Sequence, residues 1–140
     1  MNEKLTNRLF HEFPNLYRDK NENMQNTVLC WGIGTSDGWF QIIYDLSKKL
    51  EEMILELPES KREHIRASQV KEKYGTLRFY MTASSDRMNE AIGQAEELCI
   101  KTCEYCGQSG ELRCLIGWFS TECDSCFNEK KKRLKKLTND

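Results

Sequence analysis

Four cysteines constrain this chain more than any other feature. Cys103, Cys106, Cys123 and Cys126 stand as C-x2-C-x16-C-x2-C within "TCEYCGQSGELRCLIGWFSTECDSC". Two residues between ligands let a tight turn present both sulfurs to one ion, and thiolates in tetrahedral sets favour zinc. The intervening spacer is long enough for a hairpin that brings the second pair back to face the first. Gly107, directly after the first pair, suits a turn that needs positive φ. A thioredoxin-type redox centre requires only one such pair at a strand–helix junction, so it fits poorly. A disulfide cluster requires an oxidising compartment, for which nothing in the chain argues. The expectation is a structural Zn2+ site with Cys103, Cys106, Cys123 and Cys126 as ligands. Because all four positions would be protein thiolates, the metal should hold the fold and leave no place for substrate.

Three further cysteines, Cys30, Cys99 and Cys114, lie outside this pattern. They are expected as small buried apolar side chains. The N-terminal stretch "MNEKLTNRLFHEF" has no apolar run after its early lysine, so no signal peptide is expected. Nor does any segment approach the ~20 apolar residues that span a bilayer. A chain rich in cysteine without an export signal points to a reducing, cytoplasmic setting.

Hydrophobic spacing outlines the rest. Leu5, Leu9 and Phe13 share one face of a short helix over 3–12 that ends at Pro14. The polar run "DKNENMQN" reads as a loop. "CWGIGTSDGWF", residues 30–40, mixes glycine with large aromatics, and Ser36 or Asp37 is placed to cap a following helix. From Trp39 the apolar positions Phe40, Ile43, Leu46, Leu50, Met53, Ile54 and Leu57 recur at threes and fours, the stripe of an amphipathic helix. In "SQVKEKYGTLRFYM" the period changes to two, predicting a hairpin turning at Tyr74-Gly75-Thr76. A last body helix begins at Ser85 or Asp86 and buries Met88, Ala91, Ile92, Ala95, Leu98 and Cys99. The fold class is therefore α+β: a helical body (1–98) with a two-stranded hairpin, then a zinc ribbon and a basic helix (99–140).

Charge is distributed unevenly. Residues 130–140 carry Lys130, Lys131, Lys132, Arg133, Lys135 and Lys136 against Asp140, a net +5, which leaves −6 on residues 1–129 of a chain totalling −1. Six cations on one short segment suit a phosphate backbone. They equally suit an acidic protein partner, or a solubilising tail. Trp31, Asp37 and Trp39 form a second candidate set, lining a pocket where a ring could stack; the alternative is that these aromatics fill the core. Asp37, Asp45, Glu51, Glu52 and Glu72 show no pairing that metal-assisted hydrolysis would need, and most are expected as solvated surface charge. No nucleophile–base set is apparent, so a non-enzymatic binding module is expected.

"CWGIGTSDGWF", "SQVKEKYGTLRFYM", "AEELCIKTCEYCGQSG" and "TECDSC" together resemble a family of small, uncharacterised proteins encoded by bacteriophages and prophages. Its members share a Cys-rich DGW segment entering a helix, a VKEKFGGLRFY-like hairpin and a terminal TCExCG zinc-binding segment. The resemblance covers residues 28–126. This chain departs from it in reading "IGTSDGW" where a cysteine tends to precede GDGW, and "YGTLRFY" where Gly-Gly is usual. The resemblance implies a phage-like origin and the bacterial cytoplasm, and brings no established activity. A protein of that origin could bind nucleic acid, inhibit a host protein or defence system, or trap a signalling nucleotide.

Overall fold

The chain alternates helices with two short antiparallel hairpins, and its structure, a computed structural model, describes residues 1–21 and 29–139, with backbone alone for Trp31 and Asn139. Helix α1 (Glu3–Glu12) is capped by Asn2, whose side chain accepts from the Leu5 amide, and ends at Phe13 before Pro14. Single-turn 3-10 segments follow at Arg18–Asn21, Leu29–Trp31 and Asp37–Trp39. Most of the polar stretch expected as a loop lies outside the described residues.

Helix α2 (Phe40–Leu55) buries Phe40, Ile43, Leu46, Leu50 and Ile54 along the stripe that the sequence predicts. After the four-residue helix α3 (Glu59–Arg62), β1 (Ala67–Lys73) pairs with β2 (Thr76–Met81). Both residues of the connecting turn have positive φ, Tyr74 at 54° and Gly75 at 80°, a combination that matches the right-handed twist of the strands. Val70, Leu77 and Phe79 face inward from this hairpin. Helix α4 (Asp86–Cys99) starts at Ser85, whose hydroxyl accepts from the Met88 amide, and lays Met88, Ala91, Ile92, Ala95 and Cys99 on the same core. Leu98, expected on that inner face, is instead exposed. A lone two-stranded hairpin is marginal in water, and packing of β2 on α4 and of β1 on the 3-10 turns before it gives this one its support.

The C-terminal part holds β3 (Glu111–Leu115), β4 (Trp118–Glu122) and α5 (Asp124–Asn139). It turns at Ile116-Gly117, also with positive φ at both positions. The architecture is α+β, with a helical body, a hairpin and a cysteine-bearing ribbon that runs into a basic helix. No described helix is long and apolar enough to cross a membrane.

Hydrogen bonds on two sides join ribbon and body. Trp39 donates its indole N–H to the Thr102 carbonyl at 2.8 Å, and the Gly38 amide donates to the Glu104 carbonyl at 2.6 Å. The Ser36 amide donates to the Glu104 carboxylate at 3.0 Å. On the opposite side the Thr121 hydroxyl donates to the Gly75 carbonyl at 2.7 Å. The glycine–aromatic segment thus has two attachments. Its Gly34 pairs as a single rung along the free edge of β1, and its DGW turn seats the first cysteine pair.

Candidate metal centre and the basic helix

The first cysteine pair lies in the turn after α4. The Cys103 amide donates to Gln108 at 2.7 Å, and the Gly107 amide returns to the Cys103 carbonyl at 3.0 Å. Gly107 holds φ 81°, as its place after the pair predicts. In the second pair, Cys123 ends the β4 side and Cys126 sits in the first turn of α5. Pairing of β3 with β4 closes the spacer and sets the two turns face to face.

The four thiol sulfurs lie within 4.8 Å of one another. Cys106 and Cys123 are 3.6 Å apart, too far for a disulfide and close to the ~3.8 Å edge of a tetrahedron with metal–sulfur bonds of about 2.3 Å. The donor set therefore fits one thiophilic ion. Cys103 is buried, Cys123 and Cys126 are half-buried and Cys106 is exposed. The Cys126 amide donates to the Cys123 sulfur at 3.4 Å and is the main influence drawing that thiol down to about 7. Burial pushes Cys126 in the opposite direction. One thiolate is thus available near neutral pH, and loading the rest would release protons.

The remaining cysteines divide. Cys99 is buried, as expected, and burial pushes its thiol up to about 12. Cys30 is only half-buried. Cys114, expected as a buried side chain, is exposed. The register explains the difference. Leu112 and Thr121 meet the body at Gly75, whereas Cys114 and its partner Phe119 lie two residues nearer the tip, past that cover.

The six cations expected on one exposed segment behave differently from one another. Lys130 is withdrawn from that set. Its ammonium donates to the Glu122 carboxylate at 2.7 Å and to the Ser120 hydroxyl at 3.1 Å, with its side chain only 22% exposed. Lys131 lies over the Phe127 ring at 4.8 Å, and Lys132 pairs with Glu129 at 3.7 Å. Arg133, Lys135 and Lys136 are exposed and have no ion pair among the described residues.

Of the two readings open for Trp39, core filling and pocket lining, its position fits the first: it is fully buried in the core. Asp37 does not cap α2, whose N-cap position is Trp39. Its carboxylate accepts from the Asn2 amide at 2.7 Å and from the Asn2 side chain at 2.9 Å, which holds it below its ordinary value. The Trp31 side chain lies outside the described residues.

Three carboxylates, Glu51, Glu104 and Glu122, are buried among the described residues. Glu51, read from sequence as surface charge, is buried and accepts the Asn15 and Leu16 amides at 2.8 and 3.1 Å, satisfying the chain after Pro14. Glu104 lies under the DGW turn, where burial raises it above the usual carboxylate range against the opposing Ser36 amide. Glu122 is 1% exposed, and it accepts from Ser120 and Lys130 through one oxygen while the other has no partner. The only local hint at Glu122 is its alternation with Ser120 and Trp118 on one strand face.

No family model matches the chain, and no curated protein or solved structure does either. The phage-family resemblance accordingly rests on its quoted motifs alone.

Proposed function

We propose that Cys103, Cys106, Cys123 and Cys126 hold a structural zinc ion, and that the ribbon stapled in this way is a non-enzymatic module for nucleic acid. Zinc bound there supplies cross-linking of the two turns, and its four thiolate ligands leave no coordination position for water or substrate. Lys130 then fastens α5 to β4 through the buried Glu122 carboxylate, so the helix leaves the ribbon in a set direction. The observation that carries the reading is the set of exposed cations beyond this anchor, Arg133, Lys135 and Lys136, which have no ion pair among the described residues. Such a cluster of cations neutralises phosphates and releases counterions.

Gel shifts across a salt series test the reading, alongside metal analysis. One zinc per chain is expected, with DNA or RNA affinity falling by a logarithmic slope of about 0.7–0.9 per phosphate contact. Absence of salt-dependent binding to any nucleic acid would overturn it. A protein partner is the second reading, favoured by exposed Ile116, Trp118 and Leu137. It predicts instead one stoichiometric, salt-tolerant complex.

A further inference from the structure

The tip of the ribbon hairpin is apolar where solubility alone would make it polar. Trp118 is 65% exposed and Ile116 84%. Ile116 also holds φ 51°, a backbone that crowding makes unfavourable for a β-branched residue. Asn or Asp would fit that turn position better. A hairpin kept for stability alone has no use for isoleucine there.

Trp118 stands where two grooves meet. One, of about 300 Å³, runs past Lys71, Glu72, Lys73 and Tyr74 on the body hairpin. The other, of about 470 Å³, runs between Tyr105 and Leu134. It continues into a third groove, of about 410 Å³, that passes the Lys130–Glu122 pair and reaches Glu129 and Arg133 on α5. Exposed rings therefore follow one another from Tyr74 to Trp118 to Tyr105, with Lys71 and Lys73 flanking Glu72 at one end and Arg133 beside Glu129 at the other. Lys73 already lies over the Tyr74 ring at 5.7 Å.

We propose that this path is a track for single-stranded nucleic acid, with bases stacking on Tyr74 and Trp118 while Lys71, Lys73 and Arg133 hold the phosphates. This rests on the nucleic-acid reading above and adds the strand state. Unstacked bases can use a protruding ring face, whereas a duplex keeps its faces internal and offers only phosphates. A second copy of the chain would bring like-charged helices together at the same surface, so polyanion complementarity favours the strand.

The test uses the full-length, zinc-loaded chain and fluorescence anisotropy with a labelled oligothymidylate of about 20 nucleotides, against a duplex of equal length. The single strand is expected to bind at least about tenfold tighter at moderate salt, and Trp118→Ala to lose about tenfold or more on the single strand only. Trp118→Phe, which keeps a stacking face, should recover most of that loss. Tyr74→Ala gives an independent second variant, and zinc content verifies that each variant is folded. Arg133→Ala should weaken both ligands and lower the salt slope. Equal affinity for the two ligands, with Trp118→Ala and Tyr74→Ala both neutral, overturns the track and leaves the nucleic-acid reading standing. Absence of salt-dependent binding to either ligand overturns both.

Discussion

Gly38 sits where the DGW turn passes over the first cysteine pair, and replacing it with alanine tests whether that contact holds ribbon and body together. A Cβ at this position would lie 2.3 Å from the Cys103 carbonyl oxygen and 2.5 Å from that of Glu104. Both obstacles are backbone, so neither can swing aside. Carbon–oxygen approaches of ~3.3 Å are ordinary, so the turn must retreat by roughly 1 Å. That stretches the Gly38–Glu104 hydrogen bond from 2.6 Å beyond useful range. Overpacking costs about 1–3 kcal/mol and the lost bond about 0.5–1.5 kcal/mol. Gly38 is not among the glycines with positive φ, so alanine recovers about 0.4–1 kcal/mol by restricting the unfolded chain. The net is a loss of about 2 kcal/mol, or a Tm lower by about 6–8 °C for a chain of this size. Calorimetry of the zinc-loaded protein reads that shift, and competition with a chromophoric chelator reads a parallel loss of metal affinity, since Cys103 lies in the displaced turn. Gly93→Ala is the internal contrast. A Cβ there meets nothing within 4 Å in mid-α4, so it should stabilise by about 1 kcal/mol. Gly38→Ala melting and binding metal like the parent chain would refute the reasoning.

Three other outcomes follow from named groups. Lys130→Met should cost about 2–3 kcal/mol in urea unfolding, because it strands the buried Glu122 carboxylate, whereas Lys135→Met should stay within about 0.5 kcal/mol. Equal effects would show that Lys130 is ordinary surface charge. Glu104→Gln should gain in Tm relative to the parent chain as pH rises from the ordinary glutamate value of 4.5 towards neutrality. The raised folded-state value means that the parent chain loses stability as pH rises from the unfolded value to the folded one, while glutamine does not titrate and still accepts from Ser36; a Glu104→Gln deficit that grows as pH rises would contradict this. Alkylation followed by mass mapping should label exposed Cys114 first in zinc-loaded protein, the four clustered cysteines only after chelation, and buried Cys99 only on unfolding. Early labelling of Cys99 would show that α4 does not seal it.

What could be read in advance was what short-range pattern controls. The α2 stripe, the Tyr74-Gly75 turn and the cysteine spacing each express one local rule, and each lies where that rule puts it. What escaped depends on partners distant in the chain. Lys130 looks identical to Lys131 and Lys132 in sequence, yet helical phase aims it alone at Glu122. Glu51 and Glu104 resemble surface carboxylates until the chain after Pro14 and the DGW turn arrive with unsatisfied amides. Cys114 looks apolar enough to bury, and only the hairpin's overhang past Gly75 leaves it outside.

The DGW segment gains its meaning from the same long-range geometry. Its glycines and tryptophan suggest a pocket when read alone, since such residues commonly bend around ligands. Here they bend around the protein's own cysteine turn: Trp39 reaches Thr102, Gly38 reaches Glu104, and Ser36 reaches the Glu104 side chain. The turn that starts α2 and the turn that carries two thiols therefore share hydrogen bonds. Metal binding energy at a thiolate site is folding energy, so part of it should reach α2 and the body core through these bonds. Chelation is then expected to lower the melting of the body as well as releasing the ribbon, readable as loss of near-ultraviolet dichroism from the buried Trp39. A body signal that survives chelation unchanged, while residues 103–126 lose amide protection, would mean that the seam carries contact without coupling.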